Sequence, residues 1–134
     1  FQSLVEAFWY RASVASLKVA RNDLLIGFHL CCSLLQDLAV LAMLMRDRAE
    51  ATTLHRTGGT WNTLIEALQM PASPPSRAHL LVSIDQSCRT FDQMAMQWSS
   101  DYQARYPQFR AFFQIVERAI SQENNYQEPS ISQS

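Results

Sequence analysis

Arg11, Lys18 and Arg21 follow one another at steps of seven and three residues, so on a helix they form one cationic stripe. Lys18 is the only lysine in the chain. A solvated helix face is the ordinary use of such a stripe; its chemical use is to meet phosphates or an acidic partner domain. His29 and Asp37 stand inside the most apolar stretch of the sequence, about 80° apart on a helical wheel. They suit either an internal hydrogen-bond network or a pocket wall where Asp37 meets an amine or hydroxyl. His55 and His79 fall at positions expected to face solvent. The spacing contains no nucleophile elbow, no H-E-x-x-H and no Asp-x-Asp pair, so no self-contained catalytic centre is legible. Cys31, Cys32 and Cys88 make an odd set with two adjacent members, a poor disulfide framework, and lack zinc-ligand spacing. They read as small apolar residues of a reduced, cytoplasmic protein.

The elements that must position these residues are helices. Leu4, Phe8, Ala12, Ala15 and Val19 recur at three- and four-residue steps, which predicts a first helix over Gln2–Ala20. The consecutive Phe8, Trp9 and Tyr10 must point in three directions, one or two of them inward. Asn22 is the expected N-cap of a second helix, with Asp23 in its first turn and Arg46 and Arg48 near its end at about Glu50. A linker from Thr52 to Gly59 breaks the chain. Thr60 is expected to cap a short third helix, Trp61–Gln69, which ends at the Pro71–Pro75 segment. Ser73 and Pro74 then open a fourth helix over 74–99. There Leu81, Ile84, Cys88, Phe91, Ala95 and Trp98 form an alternating three–four seam of antiparallel packing. Pro107 opens a fifth helix with Phe109, Phe112, Phe113, Val116 and Ile120 on one face. From Gln122 the sequence is polar and aperiodic. The expected architecture is therefore all-α: an up-and-down four-helix bundle with an additional short helix over residues 1–121, followed by a disordered tail over 122–134.

Composition sets the outer limits. The chain has 134 residues, enough for one domain, and 48% of them are apolar, enough for a core. With 11 basic and 12 acidic residues the net charge is −1, which lacks the basic footprint of a nucleic-acid binder. Only three glycines occur, so no phosphate-cradling glycine loop is present. Residues 24–45 have the length of a membrane span, but a central Asp costs about 2.5–3.5 kcal/mol on insertion, and a central helix of a bundle explains the apolarity without that cost. No membrane is expected, and no signal peptide is legible. Because the chain opens inside a helical pattern at Phe1, it reads as the C-terminal part of a larger protein.

Phe8-Trp9, then Lys18, then Arg21-Asn22-Asp23-Leu24 opening a long apolar helix, resembles the C-terminal helical domain of antibiotic-type nucleotidyltransferases, the aminoglycoside and lincosamide adenylyltransferases and their relatives. Gly58-Gly59 with Trp61, and Tyr106-Pro107 at the last helix, fall where that family has similar features, so the likeness spans about residues 4–120. Asn22 stands where a glycine is common, and Thr60 where a lysine often follows the loop glycine. The resemblance implies a substrate-binding domain that is non-catalytic without an α/β domain, present in cis or in trans, whose aspartate pair holds Mg²⁺. It implies a nucleoside triphosphate as donor and a small-molecule hydroxyl as acceptor. Lys18, and with it Arg11 and Arg21, become expected phosphate contacts; Asp37 becomes the expected acceptor contact, with His29 beside it. The alternative function is a non-catalytic helical module that dimerises through an apolar face. A third reading rests on Arg48 and His55, whose spacing is permitted in the R-x(4–6)-H motif of helical RNA-cleaving HEPN domains.

Overall fold

The structure, a computed structural model, describes residues 1–53, 58–68 and 74–127. It is all-helical among those residues, with α1 (Gln2–Ala20), α2 (Leu24–Ala49), α3 (Leu64–Ala67), α4 (Arg77–Trp98) and α5 (Tyr106–Gln127) in chain order. α1 packs on α2, α4 and α5; α4 packs on α1, α2 and α5. α1 and α4 are therefore the central pair, flanked by α2 and α5. Where the sequence places α2 at the centre, the structure places it at one side, with only 33% of its most apolar stretch buried. Among the described residues it is the one helix long and apolar enough to cross a membrane.

The periodic faces account for the core. Phe8, Ala12, Ala15 and Val19 of α1 meet Ile84, Cys88, Phe91 and Ala95 of α4, all fully buried, and Cys31, Leu34, Leu38 and Leu41 of α2 close the layer. The Phe8 and Phe91 rings stack with centroids 3.8 Å apart, and Trp9 meets Phe91 edge-on. Tyr10, the third aromatic of the run, is 72% exposed. Phe109, Phe113, Val116 and Ile120 lay α5 against this layer.

Several boundaries differ from the sequence reading, each for a local reason. Asn22 is not the cap of α2: its φ is 60°, and Asp23 caps instead, its side chain accepting from Ile26 N at 3.3 Å. α3 is confined to Leu64–Ala67, because Trp61 sits at φ 68° and turns, rather than starts, the helix. Thr60 accordingly does not cap it; Thr63 occupies that position. α4 starts at Arg77, where Ser76 accepts from His79 N at 3.1 Å, and Pro74 precedes the helix instead of opening it. α5 continues past Gln122 to Gln127. His55, Gln69, Pro71 and Ser73 lie outside the described residues, as does the rest of the tail from residue 128.

Candidate functional site

The corner between α1 and α2 carries Lys18 and Arg21, two of the five residues singled out by chemistry. α1 ends at Arg21, whose N–H closes back on Leu17 O, and Asn22 in the left-handed region reverses the chain into α2. Gly27 allows the two helices to approach: a Cβ there would lie 2.5 Å from Val19 Cγ2. From α4, Arg77 donates to Val19 O at 3.1 Å and to Ala20 O, taking up the last carbonyls of α1, and pairs with Glu123 of α5 at 3.0 Å. The corner is thus fixed by α1, α2, α4 and α5, and nothing in the sequence marks Arg77, because its partners lie far from it along the chain.

On this frame the stripe divides. Arg11 donates to Asp37, and the two form an ion pair between α1 and α2. Asp37 is buried, and burial raises its carboxyl above the ordinary value although Arg11 pulls it down. Lys18 lies 3.6 Å from Asp23 with both side chains near 40% exposed, a contact worth little in water. Arg21 is exposed and has no ion pair among the described residues. His29 is exposed on the outer side of α2, whereas Asp37 is buried against Arg11. The structure therefore brings Lys18, Arg21 and Asp23 to one open corner, joins Arg11 to Asp37 beneath it, and leaves His29 apart.

Arg48 has a structural partner. It donates to Trp98 O at 2.8 Å and Gln97 O at 3.3 Å, and its guanidinium lies 4.0 Å over the Trp98 ring. It caps the end of α4, and His55, its would-be companion, is outside the described residues.

A second polar cluster was not legible in the sequence. Buried Asp92 accepts from Tyr102 Oη at 2.7 Å and from Arg105 N at 2.8 Å, and Trp9 Nε1 donates to Tyr102 Oη at 3.1 Å. Burial and the Asp92 carboxylate push the Tyr102 phenol well up. These groups satisfy one another and tie the α4–α5 connection to α1. A neighbouring set on the α4–α5 seam has Tyr106 Oη donating to Asp85 at 2.9 Å, with Arg89 and Arg110 around the same carboxylate. Among the described residues no group of three or more His, Cys, Asp and Glu is arranged to hold a metal ion. Lys18 and Arg21 are the cations that the α1–α2 corner exposes.

No family model, curated protein or solved structure matches this chain.

Proposed function

We propose that this chain is the helical, substrate-binding part of a cytoplasmic nucleotidyltransferase, an up-and-down four-helix bundle with an additional short helix. The observation that supports this reading is the α1–α2 corner. Asn22 stands where the resembled family commonly carries glycine, and its φ of 60° is the backbone that glycine adopts without strain. Asparagine is among the few side chains that tolerate it, so the turn survives the change of residue. That turn places Lys18 and Arg21 at an exposed corner where a triphosphate displaces the weak Lys18–Asp23 contact. Arg11 and Asp37 hold α1 to α2 below it.

In the complete reaction an acceptor hydroxyl attacks the α-phosphorus of a nucleoside triphosphate. The new oxygen–phosphorus bond forms as the bond to pyrophosphate breaks, and the hydroxyl proton passes to a base of the α/β domain. Mg²⁺ held by that domain screens the phosphate charge. This chain supplies cation and acceptor contacts and no catalytic base. The reading is tested on the reading frame upstream of Phe1 and on the enzyme it encodes. A Gly-Ser turn followed by an Asp-x-Asp pair, with Lys18→Ala raising KM for nucleotide or lowering kcat, supports it. No such pair in the same frame or in an adjacent gene removes the catalyst and the reading with it.

A second reading is favoured by the outer side of α2. Leu25, Phe28, Cys32, Val40 and Met43 share that side with the polar His29 and Gln36; Leu25 is 79% exposed, and the charge of Asp37 is turned inward to Arg11. A mostly apolar side with no carboxylate turned outward along Leu25–Met43 can pair with a second copy of itself. On this reading the chain is a dimerisation module. Sedimentation over a range of concentrations should then show a dimer that Leu25→Asp dissolves; a monomer at every concentration removes the reading.

A further inference from the structure

Between the C-terminal half of α2 and the turn leading into α3 lies a cavity of about 200 Å³. Its apolar wall is built by Ala42 and Met43 of α2 and by Trp61, Leu64 and Leu68 of the α3 segment. Arg46, one turn beyond Ala42, lines the same space and is its one charged residue among those described. No carboxylate described in the structure lines it. Arg46 Nε is shielded from solvent and has no hydrogen-bond partner among the described residues. Its neighbour in the last turn, Arg48, is fully engaged with α4, so the two arginines at this helix end have different employments. A guanidinium beside apolar walls with a shielded donor left over is an expensive arrangement unless an acceptor completes it. Trp61 at the rim holds φ 68°, a backbone that a bulky residue adopts only where its surroundings impose it.

We propose that this cavity binds a small monocarboxylate, an acid with a single ring or a short aliphatic chain, its carboxylate on Arg46 and its apolar body between α2 and the Trp61–Leu68 segment. Size supports the class: an enclosed apolar cavity of about 150 Å³ takes up benzene, so this half-open space of about 200 Å³ can seat one ring or a short aliphatic chain with its carboxyl group. Charge supports it too. Arg46 presents a planar fork that matches a carboxylate in two parallel hydrogen bonds, and the described lining offers no internal anion to compete. The site lies on α2 and α3, apart from the α1–α2 corner, and does not depend on the transferase reading.

The test compares acids with their neutral isosteres on the 134-residue chain. Benzoate and hexanoate, titrated by ligand-observed NMR and tryptophan fluorescence, should bind saturably at or below the low millimolar range, and benzamide and hexanamide about tenfold more weakly or worse. Trp61→Phe should remove most of the fluorescence response while the NMR signal persists. Arg46→Met should abolish the preference for acid over amide, Arg46→Lys should retain part of it, and Leu68→Trp should fill the space and block both. Equal affinity for acid and amide, no saturation up to about 20 mM, or an acid preference surviving in Arg46→Met overturns the assignment. Should Arg46→Met fail to fold by circular dichroism, the acid–amide ratio of the native chain and the loss in Leu68→Trp decide the matter.

Discussion

Asp37 shows how much a single carboxylate depends on what it faces. Burial lifts its carboxyl above the ordinary 3.8, and Arg11 does not cancel the rise. The native state then holds a proton that the unfolded chain has already released, so between the two values stability falls as pH rises. The urea stability of the native chain minus that of Asp37→Asn should therefore fall from about pH 3 upward and level off above the folded value. A signed difference that rises over the same window would mean that Arg11 outweighs burial. Removing Arg11 alone leaves the carboxylate without its partner, and Arg11→Met should lower stability by about 1–2 kcal/mol, less than for a fully buried pair because Arg11 is 37% exposed. The cysteines separate by the same physics. Burial pushes the Cys31 thiol up to about 12 and Cys88 well above its ordinary value. Native-state alkylation near neutral pH should label Cys32, which is partly exposed, and spare Cys31 and Cys88 until the chain unfolds. The residue types that carry this chemistry were legible in the sequence; that Arg11 meets Asp37 was not, because it depends on how α1 lies against α2.

Helices were legible because their apolar positions recur at a period that the backbone enforces. α1 was read at its full extent, and the inward faces of α4 and α5 were read from the spacing of Ile84, Cys88, Phe91, Phe109 and Phe113. Ends were less legible, since a cap is decided by one residue's φ and ψ. The displacement of the α2 cap from Asn22 to Asp23 is the case in point. It yields a direct prediction: Asn22→Gly should be neutral or slightly stabilising, and Asn22→Ala should cost about 1 kcal/mol by thermal unfolding. Equal effects of the two substitutions would mean that the left-handed backbone is not what the corner needs. Gly27 has the opposite requirement. Its Cβ would meet Val19, a β-branched side chain with little rotamer freedom inside a helix, so Gly27→Ala should cost about 1–3 kcal/mol although alanine is the better helix former. Such close approach between helices leaves no trace in a single sequence beyond an unexpected glycine in mid-helix.

At the scale of the whole molecule, what the sequence conceals is which helix is central. α2 is the most apolar helix and lies at one side; α1 and α4 are less apolar and hold the middle, because what matters is the number of neighbours a helix contacts. Part of the surplus apolar surface of α2 faces outward, at Leu25, Ile26, Phe28 and Leu44, and the cavity beside Arg46 borders the C-terminal half of the same helix. α5, at the other side, packs on α1 and α4 through Phe109 and Phe113, and its entry is fixed by the Trp9–Tyr102–Asp92 chain of hydrogen bonds. Asp92 is buried, so losing the phenol leaves a carboxylate with one fewer donor in a low-dielectric setting. Tyr102→Phe should lower global stability by about 1–3 kcal/mol in urea unfolding, with the aromatic packing retained. Its distribution over the molecule is the more informative part. If α5 opens as a unit, amide exchange should accelerate along Tyr106–Gln127 and leave the amides of α1 and α2 at their native rates. Uniform acceleration over all helices would instead make the layer of α1, α2, α4 and α5 one cooperative body, in which the hydrogen-bonded corner at Tyr102 stabilises α2 as much as the helix it adjoins.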